Sequence, residues 1–293
     1  MKNQKKLKLG IPKGSLEEKT IELLNKAGYN IKLTERLYYP EIDDPEIQCI
    51  LIRAQEIPHY VEIGKLDAGI TGGDLILENK AKVVTVTDLE YTKRRLGKIK
   101  LALAVSKNSG IKSVKDLRGK TISTELVELT KDYLRKNKVK AKVEFSWGAT
   151  EIKPSQFADA IVDIIDTGET LKAHNLKIID TLMEISIKFI ANKDSWQNKW
   201  KKEKIENLSL LLKGALAAQK RVGVMMHVPS KKLKEALKIL PAIKKPTITK
   251  IIGENLYDLL TVAKEEEIRE LIPKLKKAGC TGIVEFPLNK VVE

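Results

Sequence analysis

The stretch GATEIKPSQFADAIVDIIDTGET, residues 148–170, decides the fold of this 293-residue chain. Its apolar run, residues 160–165, is interrupted only by Asp163 and is closed by Asp166-Thr167-Gly168-Glu169-Thr170. Such a run predicts a strand, and the Thr-Gly-x-Thr turn predicts the beginning of a helix. Carboxylates there can hold ribose hydroxyls, while turn amides, Thr hydroxyls and a helix N-terminus can hold a phosphate. An ordinary strand and turn with a Thr/Gly N-cap fits the same pattern.

The N-terminal part of the chain alternates strand and helix signals. Strands are predicted at residues 7–11, 47–52 and 68–71, each followed by a helical stretch. Ser15 and Glu18 fit a capping box at the start of the first helix. The alternation predicts a largely parallel sheet that binds ligands at the carboxyl ends of its strands.

A second α/β unit is predicted beyond a charged stretch from Arg94 to Ile99, which we expect to be a crossover. Its predicted elements are a strand at residues 100–105, one at 120–123, a helix at 126–136, a strand at 143–146, the turn at 163–170 and a strand at 177–180. Residues 185–191 are expected to return to the first lobe. Two α/β lobes joined by two crossings resemble the periplasmic-binding-protein architecture, in which the cleft between lobes holds the ligand.

The last third of the chain predicts a separate module. A long amphipathic helix is expected from Ser195, in which Trp196 and Trp200 are packing residues rather than base-stacking platforms. After it the order is strand, helix, strand, strand, helix, strand, at residues 222–228, 230–240, 247–252, 256–263, 265–278 and 281–286. This βαββαβ order predicts a ferredoxin-like fold. The predicted fold class is therefore α/β, a two-lobed core plus a C-terminal α+β domain.

Composition argues against several classes of protein. No apolar run is long enough to span a bilayer, and residues 9–11 are too short for a signal-peptide core, so we expect a cytoplasmic protein without a membrane partner. The 2 cysteines and 3 histidines are scattered, which argues against disulfides and against a His-built metal centre. The net charge of +15 fits either nucleic-acid binding or a site for polyanionic substrates. Lysines are spread along the chain among glutamates, and we expect no nucleic-acid partner.

Motifs in a fixed order carry a resemblance to a known family. They are Gly10-Ile11-Pro12-Lys13-Gly14-Ser15-Leu16, Arg53-Ala54-Gln55-Glu56-Ile57-Pro58, Asp67-Ala68-Gly69-Ile70-Thr71-Gly72, and the 148–170 stretch with Leu171 and Asn175-Leu176. The set resembles the ATP phosphoribosyltransferase family, which opens histidine biosynthesis, over essentially the whole chain. Many members have Arg where this chain has Ser15.

The C-terminal module makes the resemblance one to the long form of the family; the shorter form lacks it and needs a separate regulatory subunit. The resemblance implies three domains. They are catalytic lobe I at residues 1–95 with 184–212, catalytic lobe II with the phosphoribosyl-diphosphate loop at 96–183, and a regulatory domain of ACT/PII-like fold at 213–293.

The implied reaction joins ATP and phosphoribosyl diphosphate into phosphoribosyl-ATP and releases diphosphate. Adenine N1 attacks the anomeric carbon through a transition state of oxocarbenium character. The protein then has to position two anions and stabilise the charge of the leaving group. Mg²⁺ fits this role as a cofactor held mainly by diphosphate oxygens, so no protein metal ligands are expected.

Catalytic roles are expected for Lys13, Arg53 and Glu151. Lys13 lies in a strand-to-helix turn beside Gly14, where a phosphate can bind. Arg53 follows a buried strand and can neutralise diphosphate or triphosphate charge. The alternatives are a surface lysine, a structural ion pair of Arg53 with Glu56 or Asp67, and a solvated loop carboxylate at position 151.

Substrate binding is expected at the remaining site positions, which are Gly14, Gly72, Asp163, Asp166, Thr167, Gly168, Glu169 and Thr170. Residues 167–170 would hold the 5′-phosphate, with Gly168 permitting close backbone approach. Asp163 and Asp166 are candidates for the ribose hydroxyls, although Asp163 also fits a local backbone cap. Gly72 either lines the cleft or allows a tight turn, and Glu125 is a further candidate.

The C-terminal domain is expected to bind L-histidine as a feedback inhibitor, with Thr247 and Gly282 in segments that resemble the family's inhibitor-binding segments. Thr247 also fits an ordinary strand residue. We expect a homo-oligomer, a dimer as the catalytic unit and a hexamer favoured by histidine, which requires different histidine affinities in the two states. The alternative function is a non-enzymatic ligand sensor or solute-binding protein of the same two-lobed fold, because fold alone does not separate the two.

Overall fold

The computed structural model describes residues 5–33, 38–91, 99–154, 156–166, 168–240 and 245–292. By its internal contacts the chain divides into two units, residues 1–25 with 29–209 and residues 26–28 with 210–293. Unit 1 contains two five-stranded sheets, and we call the parts built on them lobe I and lobe II. No helix within the described ranges is long and apolar enough to cross a membrane.

Lobe I begins with the predicted alternation of strands and helices. Its elements are β1 (Leu7–Lys13), α1 (Glu17–Ala27), β2 (Ile31–Lys32), β3 (Glu41–Ile42), β4 (Ile47–Arg53), α2 (Ile57–Glu62), β5 (Ala68–Gly72), α3 (Gly73–Glu78) and β6 (Val84–Leu89). Helix α1 begins later than the predicted Ser15–Glu18 capping box requires. The carboxylate that faces the turn is that of Glu17, which accepts a hydrogen bond from the Gly14 amide at 3.1 Å.

Lobe II follows between the two crossings. Its elements are β7 (Ile99–Ser106), β8 (Thr121–Thr124), α4 (Val127–Lys136), β9 (Lys142–Phe145), β10 (Ala160–Ile165), α5 (Glu169–Ala173) and β11 (Leu176–Ile185). Alternate residues of β7 and β10, among them Leu103 and Val162, are buried in a core that also takes Leu134 of α4. The apolar run of the 148–170 stretch is therefore a strand, as predicted, and it lies in the centre of the lobe II sheet.

The chain then returns to lobe I with β12 (Ile187–Ala191), α6 (Lys193–Gln197) and the first part of α7 (Lys199–Ala218), whose residues from 210 onward belong to unit 2. The predicted continuous helix from Ser195 is wrong, because the chain breaks at Asn198 with ψ 114°. The Asn198 side chain accepts the Lys201 amide at 3.1 Å and so caps α7. Ser195 lies in α6, where its hydroxyl donates to the buried Asp67 carboxylate at 2.6 Å.

Both sheets are mixed, so the prediction of a largely parallel sheet needs correction. The strand orders are β4-β1-β5-β12-β6 and β11-β7-β10-β8-β9. Strand β1 is parallel to β4 and β5, but β12 is antiparallel to β5 and β6, and β7 is antiparallel to β10 and β11. The physical reason is the place of the crossing. The returning chain enters at Ile187 opposite Gly72, where β5 ends, and must run the opposite way.

The second crossing is a single residue, Ser186, between β11 and β12. Its carbonyl accepts the Gly73 amide at 3.0 Å, and its hydroxyl donates to Asp88 at 2.8 Å. The same carboxylate also binds Lys188. This crossing is thus held to the lobe I sheet edge. Of the other predicted crossover, Arg94 to Ile99, residues 94–98 lie outside the part of the chain that the structure describes.

Unit 2 has the predicted βαββαβ order. Its elements are β13 (Arg221–Pro229), α8 (Leu233–Ile239), β14 (Thr247–Lys250), β15 (Leu256–Lys264), α9 (Glu265–Lys277) and β16 (Thr281–Pro287). The strands pair antiparallel in the order β14-β15-β13-β16. Val224, Met226 and Leu259 pack with Leu271 and Leu275 of α9 in one core. The ferredoxin-like fold predicted for this part is confirmed.

Candidate active site

A cavity of about 460 Å³ opens in unit 1 between the two lobes. Lobe I lines it with the carboxyl ends of β1, β4 and β5, and lobe II with those of β8 and β10. The lining residues other than apolar ones are Lys13, Ser15, Arg53, Gln55, Gly72, Asp74, Thr124, Glu125, Glu151, Asp163, Asp166, Gly168 and Thr170. Strand ends from both sheets thus converge on one cleft.

Two cations lie side by side on the lobe I wall. Lys13 ends β1, Arg53 ends β4, and the parallel register pairs these two residues directly. Gly14 follows with φ +106°, and a Cβ at this position would lie 3.3 Å from an Arg53 guanidinium nitrogen. The Lys13 ammonium lies 4.0 Å from the centroid of the Tyr38 ring. A cation–π contact of this kind orients the ammonium group and leaves its N–H donors available.

Asp67, considered as an alternative ion-pair partner of Arg53, has other partners. Its carboxylate accepts Ser195 Oγ and Lys201 Nζ, each at 2.6 Å, and the Lys8 amide at 2.8 Å. It therefore ties strands β1 and β5 to α6 and α7, and it contributes to the packing of lobe I.

On the opposite wall, Asp163 points out of β10 into the cleft. Its carboxylate accepts the amide of the next residue, Ile164, at 2.7 Å. Burial raises the pKa of Asp163 from 3.8 to about 6, and the negative charges of Glu151 and Glu125 add to the increase. Because an ionised carboxylate in this place is poorly solvated, hydroxyl donors of a bound ligand would stabilise it.

Glu151 reaches the cleft from a short 3-10 turn, residues 150–152, which follows Ala149 with φ +47°. The turn is held from behind by buried Ser146, whose hydroxyl contacts Thr150 Oγ1 at 2.8 Å and accepts Lys153 Nζ at 2.6 Å. These bonds fix the backbone of the turn, so that Glu151 lines the cavity.

The turn after β10 joins Asp166 to helix α5. Gly168 is the residue before the helix, with φ +76° and ψ 3°. Among the described residues, a Cβ at Gly168 would meet Ile165 Cγ2 at 3.9 Å and nothing nearer, so it is the backbone conformation that requires glycine. Gly168 precedes the first turn of α5 and has no side chain that could cap the helix. Thr170 lines the cavity, and Thr167 lies outside the described residues.

The cleft floor contains residues that the sequence did not point out. Asp74 at the start of α3 is buried, and burial raises its pKa to about 6 against the opposing hydrogen bonds from its own and the Leu75 amide. Gln55 and Thr124 also line the cavity. The sequence feature that points to Asp74 is the run Gly72-Gly73-Asp74, which places an acidic residue in the first turn of a helix directly after a strand. Glu125, a weaker candidate, does line the cleft.

The remainder of the lining is apolar. Leu16, Leu75, Ile99, Leu126, Val162, Ile164, Ile165, Leu171, Ile185 and Ile187 contribute to it. Ile164 alternates with Asp163 along β10 and is 44% exposed, which is unusual for a residue in a central strand. A flat heterocycle can pack against such a surface, while phosphates and hydroxyls bind the polar residues.

Most of the predicted catalytic-site residues therefore meet in one cavity. Lys13, Arg53, Gly72, Glu151, Asp163, Asp166, Gly168 and Thr170 line it, and Gly14 and Glu169 directly adjoin lining residues. The acidic residues offer hard oxygen donors that suit Mg²⁺. However, no three His, Cys, Asp or Glu side chains of the described residues group closely enough to hold a metal ion by themselves. The residues present fit a metal ion that is bound mainly through ligand oxygens.

The two predicted inhibitor residues lie in unit 2. Thr247 is exposed on β14, and Gly282 on β16 has φ +53°, where a Cβ would lie 3.1 Å from His227 Nδ1. Asp258 pairs with His227 on one side and Thr249 on the other, so these side chains share the sheet face opposite the helices. Asp258 Oδ1 is buried and has no hydrogen-bond partner among the described residues. An unsatisfied buried carboxylate oxygen is costly, and a cationic or N–H donor would satisfy it.

Comparison with known proteins covers the chain almost completely. A family model described as ATP phosphoribosyltransferase matches residues 53–214, and one described as HisG, C-terminal domain, matches residues 218–290. The chain is 51% identical over 288 residues to the ATP phosphoribosyltransferase of Thermodesulfovibrio yellowstonii, covering 98% of this chain and 99% of that protein. It is 52% identical over 286 residues to that of Solibacter usitatus, covering 98% of this chain and 99% of the relative.

The ATP phosphoribosyl transferase (HisG:HisZ) complex from Thermotoga maritima matches with a TM-score of 0.61 and 29% identity, over 71% of this chain and 98% of that chain. The periplasmic aliphatic sulphonate binding protein SsuA from Escherichia coli matches with a TM-score of 0.44 and 18% identity, over 71% of this chain and 72% of that chain.

Proposed function

This chain belongs to the ATP phosphoribosyltransferase family, in its long form, and on that premise we propose how its residues bind the substrates and control the reaction. The enzyme joins ATP and phosphoribosyl diphosphate, with release of diphosphate, in histidine biosynthesis. The observation that carries the proposal is the pairing of opposite chemistries across one cleft. Lys13 and Arg53 form one wall, and Asp163 with the Gly168 turn forms the other.

The phosphoribosyl diphosphate lies across this cleft. Its 5′-phosphate binds the turn of residues 166–170, where the α5 amides and the hydroxyls of Thr167 and Thr170 are donors, with Glu169 beside them. The ribose hydroxyls donate to Asp163 and Asp166. Binding of hydroxyls to Asp163 favours its ionised form, which lowers the pKa that burial has raised.

The diphosphate group extends towards lobe I. Lys13 and Arg53 lie at the same strand edge and stabilise the charge that grows on the leaving diphosphate, with Gly14 and Gly72 permitting close approach of the backbone. When bound, a divalent cation such as Mg²⁺ would neutralise part of this charge, with the diphosphate supplying most of its oxygen ligands. The ribose, anchored on lobe II, keeps its anomeric carbon facing the floor of the cleft.

ATP enters beside the apolar lining, where adenine packs with N1 directed at the anomeric carbon. N1 is a neutral nitrogen nucleophile, so no residue has to abstract a proton before the attack. The adjacent carboxylate of Glu151 stabilises the positive charge on the sugar ring in the transition state. Effective positioning of the two reactants accounts for the absence of a nucleophile motif in the sequence.

Feedback inhibition is proposed for the regulatory domain at residues 213–293, which is part of unit 2. L-histidine binds the open sheet face near Thr247 and Gly282, where the free Asp258 oxygen accepts an N–H of the ligand. The two catalytic lobes complete the proposed domains, with lobe I at residues 1–95 and 184–212 and lobe II at residues 96–183. A dimer is the catalytic unit, and histidine favours a hexamer because it binds that assembly more tightly.

The test is a direct assay of the purified protein. ATP, phosphoribosyl diphosphate and Mg²⁺ are mixed with pyrophosphatase, and the absorbance of an N1-substituted adenine is followed. The expected result is a product signal that requires both substrates and that falls when histidine is added. A folded protein that gives no product with both substrates and Mg²⁺ would contradict the catalytic proposal. A product signal that millimolar histidine does not change would contradict only the regulatory one.

A further inference from the structure

Helix α4 of lobe II has no cap of its own. The residue before its first turn is Leu126, with φ −110° and ψ 70°, and no hydrogen bond from its side chain. The first amides of a helix have no partner within the helix, and leucine is among the poorest residues at the capping position. Within lobe II the Leu126 amide donates to Thr124 Oγ1 at 3.0 Å, but this bond does not reach the amides of Glu128 and Leu129 in the first turn.

The missing cap comes from lobe I. Glu78, the last residue of α3, accepts the Glu128 amide at 3.0 Å with one carboxylate oxygen and the Leu129 amide at 2.9 Å with the other. A negative charge at this end of a helix also interacts favourably with the helix dipole. Beside this bond Leu75 of α3 packs against the lobe II core, and Lys80 pairs with Glu128 at 2.6 Å. Helix α3 is thus attached to lobe II at the start of α4.

Both ends of this connection adjoin the cleft. Helix α3 begins at Gly73, after Gly72 and before Asp74, which line the cavity on the lobe I side. Helix α4 begins directly after residues 124–126, which line it on the lobe II side. The Glu78 carboxylate, together with Leu75 and Lys80, therefore connects the helices that follow the two floor segments, 72–74 and 124–126.

We propose that Glu78 is a positioning residue, which sets the spacing between the two walls of the cleft by capping α4 across the lobes. The proposal rests on the proposed function, in which phosphoribosyl diphosphate contacts both walls. A ligand that contacts only the lobe II wall does not depend on this spacing. Ribose 5-phosphate is such a ligand, because it has the phosphate and ribose but no diphosphate to reach Lys13 and Arg53.

The experiment compares Glu78→Ala and Glu78→Gln with Glu62→Ala as matched control. The Glu62 carboxylate also accepts a backbone amide, that of Lys82 at 3.0 Å, but within lobe I. Binding of phosphoribosyl diphosphate and of ribose 5-phosphate, both with Mg²⁺, is measured by titration calorimetry. Hydrogen exchange reports the protection of the Glu128 and Leu129 amides in each protein.

For Glu78→Ala we expect the Kd of phosphoribosyl diphosphate to rise about tenfold, which is about 1.4 kcal/mol, and that of ribose 5-phosphate to stay within about twofold. The Gln variant recovers part of the loss, because its amide oxygen still accepts one N–H. The Glu128 and Leu129 amides both exchange faster in the Ala variant and one of the two does so in the Gln variant, while the control changes neither ligand's Kd.

Two results overturn the proposal while the proposed function stands. One is a wild-type protein that binds both ligands together with a Glu78→Ala variant in which the Kd values of both ligands rise by the same factor or do not change. The other is a Glu78→Ala variant in which the Glu128 and Leu129 amides exchange no faster with solvent than in the wild type. A wild-type protein that binds neither ligand refutes the proposed function and, with it, the role of Glu78.

Discussion

Replacing Asp163 by Asn is expected to stabilise the ligand-free protein above pH 6 and to weaken its binding of phosphoribosyl diphosphate. The carboxylate is half-buried, beside the negative charges of Glu151 and Glu125, which is why its pKa is raised to about 6. An Asn side chain keeps the hydrogen bond from the Ile164 amide but carries no charge. The same substitution removes the acceptor that we assign to the ribose hydroxyls.

The size of the stability effect follows from the shift in the pKa of Asp163. A pKa of about 6 in the folded protein against an ordinary value of 3.8 corresponds to at most about 3 kcal/mol, at 1.36 kcal/mol per pH unit. Because the folded-state pKa is the higher one, the stability that it contributes is complete below about pH 4 and is lost as the pH rises to about 6. Asn avoids this loss. Since the cleft is open to water, we expect a gain of about 1–2 kcal/mol at pH 8 and about a third of that at pH 4.5.

The assay is urea unfolding of both proteins at pH 4.5 and pH 8, with Glu41→Gln as control. Glu41 is exposed on β3, so its loss removes the same charge without a buried site. Calorimetry with phosphoribosyl diphosphate completes the comparison, and a weaker Kd is expected for the Asn variant. An Asn variant that is no more stable than the wild type at pH 8, or that shows the same difference at both pH values, would refute the reasoning about burial. Unchanged ligand affinity would refute the ribose assignment.

Three further predictions concern the other parts of the site. Gly168→Val should leave the fold intact but remove phosphoribosyl diphosphate binding, since φ +76° is strained for Val and the turn must change; near-normal affinity and turnover in the folded variant would contradict the phosphate site. Arg53→Ala and Lys13→Ala should each remove about 2–4 kcal/mol of transition-state stabilisation, which is measured as a fall in kcat/KM at about 1.4 kcal/mol per tenfold. A fall of less than about threefold in kcat/KM for both variants would indicate structural roles instead. Histidine titrated into the intact protein should lower activity and shift sedimentation towards a larger assembly, whereas Thr247→Ala should weaken its binding. Histidine that neither binds, by calorimetry, nor inhibits would exclude the regulatory proposal.

The sequence predicted the elements and most of the cleft because both depend on local patterns. The apolar run at residues 160–165 and the glycine at 168 specify a strand and a positive-φ turn from neighbouring residues alone. Lys13 and Arg53 each follow a strand, and carboxyl ends of parallel strands meet at one edge of a sheet. In unit 2 the alternation of β13 and the stripe of α9 was sufficient for the ferredoxin-like order.

The errors occurred where local and distant preferences compete. A continuous helix from Ser195 satisfies the helical period, yet the chain breaks at Asn198. On either side of the break, Ser195 and Lys201 both bind the Asp67 carboxylate of another element. Similarly, each strand of the α/β pattern is compatible with either direction. The crossing at Ser186, at the carboxyl edge of lobe I, makes β12 antiparallel.

Local sequence patterns specify most of the secondary structure and the residue types at the strand ends, because these follow from periodicity and backbone preferences over a few residues. Four features depend on the assembled fold. They are the register that pairs Lys13 with Arg53, the burial of Asp74 in the cleft floor, the pKa of Asp163, which burial raises and the charges of Glu151 and Glu125 raise further, and the capping of a lobe II helix by Glu78. Each of these is a contact between residues that are distant along the chain. Burial, packing and charge at such contacts depend on how the sheets are assembled, which no short stretch of sequence encodes.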